Sequence, residues 1–200
     1  KKKTISPNSY GVCNNYGGDT DGDYICNLWE NSTATPRPSQ CSGEGLCIRT
    51  NSTVTPYFLA CNPNYPNDCP SPTKADVYYE IDWMKGHRPS SDVIGAIVGA
   101  FTNSNFTSVN NVNGIAFHPY LNEELPHVDS IPSQGTEQIP GYDQLKYWWF
   151  GTASERGYTI PNSTHNMTPW FKDIRNQKGQ VFHYVIFGHS FTEDPTSSGI

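Results

Sequence analysis

All six cysteines of the chain, Cys13, Cys26, Cys41, Cys47, Cys61 and Cys69, fall within its first 69 residues, and the rest of the chain has none. The leading segment is rich in Gly, Pro and Asn and shows no hydrophobic periodicity. Burial alone cannot hold such a segment, so covalent cross-links are what it requires. Zinc is the competing use of clustered cysteines, but no Cys-x-x-Cys pair occurs. Three disulfides are predicted, and the spacing leaves their partners open. The style of the sequence changes near residue 74, which suggests a stapled segment over 1–73 and a periodic, core-forming domain over 74–200.

From Ala75 to Trp83 the residues alternate, with Val77, Tyr79, Ile81 and Trp83 on one face and Asp76, Tyr78, Glu80 and Asp82 on the other. That is the period of a strand. After a Gly86-His87-Arg88-Pro89 turn, Ser90, Ser91 or Asp92 can cap a helix whose Val93, Ile94, Ile97, Val98 and Phe101 fall at helical spacing and should lie on a sheet. A second strand is expected through Ile115–His118. A third, Val181–Phe187, is apolar on both faces and reads as the central strand. Strand, helix, strand implies a right-handed crossover and an α/β fold, with α+β as the alternative: a mixed sheet with packed helices, preceded by the stapled segment. Short helices are expected over Tyr142–Phe150 and from Pro169 to Ile174, and 126–140 reads as loop.

The formal net charge of -6, with no Lys/Arg run beyond Lys1-Lys2-Lys3, argues against the basic face that phosphate-backbone binding needs, so nucleic acid is not an expected partner. No apolar stretch is long enough to span a bilayer, and the start Lys1-Lys2-Lys3 lacks the apolar centre of a signal peptide, as in a mature or trimmed chain. Asn-x-Ser/Thr sequons occur at Asn31, Asn51, Asn105, Asn162 and Asn166, the last weakened by Pro169. With the cysteines they point to an extracellular or cell-surface glycoprotein.

The segment Asp19 to Glu30 carries the most specific chemistry. Asp19, Asp21, Asp23, Asn27 and Glu30 place oxygen donors at positions 1, 3, 5, 9 and 12 of a twelve-residue frame, and Ile25 offers a backbone carbonyl at position 7. A hard cation such as Ca²⁺ takes six to eight such oxygens. One departure weakens the pattern: position 6, which should be glycine for a sharp turn, is Tyr24, and the glycine sits at position 4 as Gly22. The alternative is an Asp/Gly-rich solvated turn. A Cys13–Cys26 bridge would tie metal loop and staple together.

Other chemistry is incomplete. Gly188-His189-Ser190 after a hydrophobic strand resembles a nucleophile elbow, but the second glycine is replaced by Thr192 and no histidine follows Ser190. No two of His87, His118, His127, His165, His183 and His189 stand four apart, so the paired ligands of a His-Glu-x-x-His helix are missing. His183 and His189 read as packed or surface histidines. Glu123 and Glu124 are adjacent, so on an extended chain they point to opposite faces and read as a solvated loop.

Taken together, Asp19 to Glu30, Val77-Tyr78-Tyr79-Glu80-Ile81-Asp82-Trp83-Met84, Gly114-Ile115-Ala116-Phe117-His118, Phe182 to His189 and Ser197-Ser198-Gly199-Ile200 resemble the front half of secreted zinc metallopeptidase-like proteins of archaea and bacteria, related to metzincins. The resemblance covers residues 19–30 and 75–200. It implies that the strands form the upper sheet of a catalytic domain. A zinc-binding helix would follow the Ser-Gly segment, so zinc, the attacking water and its glutamate would belong to an absent C-terminal part. A protein or peptide substrate is expected only in that larger context. The alternative is a non-catalytic surface or filament subunit, self-associating through Tyr147-Trp148-Trp149-Phe150 and open strand edges.

Overall fold

The computed structural model describes residues 13–33, 37–50, 54–61, 69–132, 140–157, 169–191 and 194–198. The fold class is α/β, with helices, parallel pairing and antiparallel pairing. Asn51, Asn162 and Asn166 lie outside the described residues. The chain divides into two compact units that interleave along the sequence. One comprises 1–77, 97–118 and 176–181, and the other 78–96, 119–175 and 182–200.

The first unit holds all six cysteines. They pair with their neighbours in sequence, as Cys13–Cys26, Cys41–Cys47 and Cys61–Cys69. Between the staples lie a one-turn helix α1 (Asn27–Glu30), a 3-10 turn (Ser39–Cys41) and an antiparallel pair, β1 (Gly45–Ile48) with β2 (Tyr57–Ala60), in which Gly45 faces Ala60 and Ile48 faces Tyr57. Every residue of β1 is buried. A segment this short of apolar residues is also knit by polar groups. The Arg37 guanidinium donates to the carbonyls of Asn31, Cys41 and Gly45 at 2.6, 2.9 and 2.7 Å. Buried Gln177 accepts from Tyr57 N at 3.3 Å and donates to Thr55 O at 2.5 Å.

Most of a three-stranded sheet lies in the second unit, with β3 (Asp76–Met84) between β4 (Ala116–Leu125) and β5 (Phe182–Phe187); Asp76, Val77 and residues 116–118 at the strand starts belong to the first unit, with the loop 19–30. The β3–β5 pairing is parallel, from Tyr78 opposite Phe182 to Trp83 opposite Phe187. β4 runs the same way, since Ala116 N bonds Ala75 O at one end and Lys85 N bonds Leu125 O at the other. The expectation that Val181–Phe187 is central is therefore corrected: among the described residues β5 flanks the sheet, its burial alternates and His183 is exposed. The centre is β3. Its acidic face, Asp76, Tyr78, Glu80 and Asp82, is buried throughout. Buried carboxylates are tolerable only when donors reach them, and here they do. Gly151 N bonds Glu80 at 2.6 Å, Glu123 N bonds Asp82 at 3.1 Å and the Tyr184 hydroxyl donates to Asp82 at 2.6 Å.

Between β3 and β4 runs α2 (Ser91–Thr102), capped by the Ser90 hydroxyl, which accepts from Val93 N at 3.3 Å. None of its residues is fully buried, and its last turn meets the strand through Phe101 and Phe117, whose ring centroids are 4.7 Å apart. α3 (Tyr142–Trp149) leads into α4 (Ala153–Arg156), which begins with a reciprocal cap: Thr152 Oγ1 accepts from Glu155 N, and the Glu155 carboxylate accepts from Thr152 N. α5 (Pro169–Lys178) precedes β5, and β6 (Ser190–Phe191) pairs antiparallel with β7 (Asp194–Ser198). The aromatic cluster separates into two kinds. Trp149 and Phe150 are buried, whereas Tyr147 is exposed under the Arg175 guanidinium at 4.5 Å. Self-association through that cluster gains no support from this burial. Among the described residues no helix is long and apolar enough to cross a membrane.

Candidate metal centre

The loop from Asp19 to Glu30 closes on itself through its own carboxylates. Asp19 Oδ1 accepts from Gly22 N at 2.7 Å and Asp19 Oδ2 from Tyr24 N at 3.1 Å. The turn needs left-handed backbone at two positions, with φ 84° at Gly22 and φ 74° at Tyr24. Gly22 adopts this without cost, while Tyr24 does so with a side chain that disfavours it. The Cys13–Cys26 bridge clamps the loop to the segment before it, in the pairing that would tie staple and loop together. Asn27 is committed elsewhere: its amide nitrogen donates to Gly17 O and Thr20 Oγ1, and its oxygen accepts from Thr20 N.

Of the six residues read from the sequence, three converge. Asp21, Asp23 and Glu30 meet Asp76, the first residue of β3, with one carboxylate oxygen from each lying within 4.8 Å of the others. Asp19 stands outside this group, holding the turn, and Asn27 holds the loop entrance. Asp76 is the residue that local spacing could not find. Asp23 links it to the loop by accepting from Asp76 N at 2.6 Å and from Ile25 N at 2.7 Å. Asp76 in turn accepts from Ser71 N at 2.9 Å and lies 2.5 Å from His118 Nε2 of β4. The outer polar groups thus orient Asp23 and Asp76 from behind.

Asp21 and Glu30 differ from those two. They are 1 % and 2 % exposed, and neither carboxylate has a hydrogen bond of good geometry at either oxygen. Four buried oxygens without well-formed hydrogen bonds among the described residues, and close to like charges, strongly disfavour ionisation. Burial, followed by the charges of Asp23, Asp76 and Asp21, pushes Glu30 up to about 12. Burial is also the leading cause at Asp23, pushed up to about 8, and at Asp21, pushed up to about 6 with the Asp19 charge next. A divalent cation at the centre inverts this logic, because it supplies the opposite charge that offsets the mutual repulsion of the carboxylates and the burial of Asp21, Asp23 and Glu30. The oxygen-only donor set suits a hard ion. A shell with metal–oxygen distances of about 2.3–2.6 Å spans about 4.6–5.2 Å across, which the cluster accommodates.

The other sequence candidates behave differently. Ser190 Oγ donates to Asp129 O at 3.3 Å. Glu123 pairs with buried Arg156, and Glu124 is exposed. Glu44 lies near Cys61 and Cys69, but their sulfurs are joined and supply no thiolate. Compared with protein-family models, curated proteins and solved structures, the chain matches none.

Proposed function

We propose that this chain is an exported calcium-binding module in which the ion fastens the disulfide-stapled loop 19–30 to the first residue of β3. The observation that carries this reading is the pair of buried carboxylates, Asp21 and Glu30, whose oxygens make no hydrogen bond of good geometry among the described residues while facing two further carboxylates. Calcium is favoured over a softer ion because every candidate ligand is oxygen. Export is supported by three disulfides and no free cysteine among the six. It is also supported by the sequon at exposed Asn105 and by the one at Asn31, whose Oδ1 accepts from the Thr33 hydroxyl at 2.8 Å. The role is structural: the donors come from one loop and one strand, so occupancy ties them together.

Calorimetric titration of calcium into the chelator-stripped chain, with limited proteolysis in parallel, tests this. One saturable site is expected, along with protection of the first 73 residues. A flat titration with unchanged cleavage would refute it. For residues 74–200 we also propose, on the resemblance in sequence, the front of a zinc metallopeptidase-like domain whose catalytic helix lies downstream. Sequencing the gene beyond Ile200 decides that point, since a stop codon there removes the peptidase.

A further inference from the structure

Three imidazoles gather at the opposite chemical extreme from the carboxylate cluster. His87, His127 and His189 place one ring nitrogen each within 4.8 Å of the others. They come from three neighbouring strands, because His87 follows the end of β3, His127 the end of β4 and His189 the end of β5. All three strands are parallel, so these ends share one edge of the sheet. Ligands of open parallel sheets characteristically bind outside the carboxyl ends of the strands.

The backbone at this edge is stitched together. Lys85 N bonds Leu125 O at 2.9 Å, which joins the ends of β3 and β4, and His87 N closes a turn onto Met84 O at 2.8 Å. The loop after His127 is held to the residue after His189: Ile131 N bonds Ser190 O at 2.9 Å, and Ser190 Oγ donates to Asp129 O at 3.3 Å. Gly188 lets β5 leave the sheet close to β3, since a Cβ there would lie 3.1 Å from Met84 Sδ. The backbone segments that carry the three histidines are thus held to one another, which fixes where the side chains start.

Core packing gives no reason for the convergence, since His127 and His189 are exposed and His87 is only half-buried. His87 and His127 lie near parallel, at 27° with centroids 5.8 Å apart, and His189 meets both edge-on. His87 and His189 meet at 68° with centroids 4.1 Å apart, and His127 and His189 at 85° with centroids 4.9 Å apart. Asp129 Oδ1 stands 3.7 Å from His127 Nδ1, so a carboxylate lies near the ring without bonding it.

We propose that His87, His127 and His189 form a second metal site, selective for a late first-row divalent ion, with Zn²⁺ as its ligand. Neutral imidazole is the preferred donor for such ions and a poor one for calcium, so the two centres sort ions by donor chemistry. Three nitrogens leave a tetrahedral zinc one position for water, on a surface open to solvent.

The test uses the full chain saturated with calcium and titrated with Zn²⁺ alone, with Co²⁺ as the optical probe. One equivalent should bind with micromolar or tighter affinity, and cobalt should show the intense visible band of a four-coordinate ion. His189→Ala and His127→Ala, both at exposed positions, should each weaken zinc binding tenfold or more with an unchanged far-ultraviolet spectrum. Glu30→Gln should leave zinc binding intact, which separates this site from the carboxylate centre. Three results overturn the proposal: no saturable zinc binding below the millimolar range, histidine variants that bind as the parent does, or a loss of zinc binding in Glu30→Gln.

Discussion

Replacing Glu30 by glutamine probes the carboxylate centre in both of its states. In chelator at neutral pH, Glu30 holds its proton in the fold, because its pKa is pushed from 4.5 up to about 12 by burial and by Asp23, Asp76 and Asp21. His118 reaches the same group through Asp76. The unfolded chain releases that proton. The folded state therefore binds more protons, so this stabilising term is complete below about pH 4.5 and shrinks as pH rises toward the folded value. At about 1.4 kcal/mol per pH unit, the loss reaches about 3 kcal/mol by pH 7. Glutamine is neutral in both states and escapes this loss, so in chelator the variant should be the more stable by up to about 3 kcal/mol, or roughly 6–12 °C in Tm. Calcium at 100 times its Kd returns about 2.7 kcal/mol to the parent by mass action and little to the variant, which has lost a carboxylate ligand. The two proteins should separate in chelator, increasingly so from pH 5 to pH 8, and converge in calcium. Urea midpoints followed by far-ultraviolet circular dichroism would reveal this. A variant less stable than its parent in chelator, or one that responds to calcium as its parent does, refutes the reasoning.

Tyr24→Gly should stabilise the calcium-bound protein by roughly 0.5–1 kcal/mol, because relief of the left-handed strain exceeds glycine's entropic cost; a lower urea midpoint contradicts this. Replacing both Cys13 and Cys26 by Ser should cost about 3 kcal/mol from the freed loop and should weaken calcium binding as well. Unchanged calcium affinity would mean that the staple and the loop are independent. Asp82 is pushed up to about 7 by burial, against the Tyr184 hydrogen bond and with the Glu80 charge adding to it. Its stabilising term is therefore lost as pH rises from about 4 to about 7, and Asp82→Asn should flatten that decline by about 1.4 kcal/mol per pH unit. Denaturation across this range in saturating calcium reads the slope, and parallel curves for parent and variant would count against it.

The elements of the fold were legible where their signals are local. The alternation after Ala75 marks β3, and Ser90 with the spaced apolar residues that follow marks α2. Strand order was not legible, because it is decided by partners far away in sequence. β5, apolar on both faces by its sequence, reads as central, yet the strand with both neighbours is the one carrying Asp76, Glu80 and Asp82. Its acids can be buried because donors arrive from distant segments: Gly151 N lies 71 residues from Glu80, and the Tyr184 hydroxyl 102 residues from Asp82. Composition alone registers the cost of burying these carboxylates and not the hydrogen bonds that offset it.

The same division separates what could be read of the metal sites. A twelve-residue frame brings Asp21, Asp23 and Glu30 together by local turns, so their spacing is visible in the sequence. The frame overstates the donor set, because spacing does not say that Asp19 will spend its oxygens on Gly22 N and Tyr24 N, or Asn27 its amide on the loop entrance. It also omits Asp76, which reaches the cluster only because β3 begins beside the loop and donates its N–H to Asp23. Parallel strands carry this logic further. Each must return by a long crossover before it can pair, so residues that leave the sheet side by side stand far apart in the chain. His87, His127 and His189 have no local spacing for that reason, unlike two histidines one helical turn apart. Their convergence follows from strand order and the bonds that join the strand ends, so disturbing the common end of β3, β4 and β5 should weaken zinc binding in titration even though all three histidines remain in the sequence.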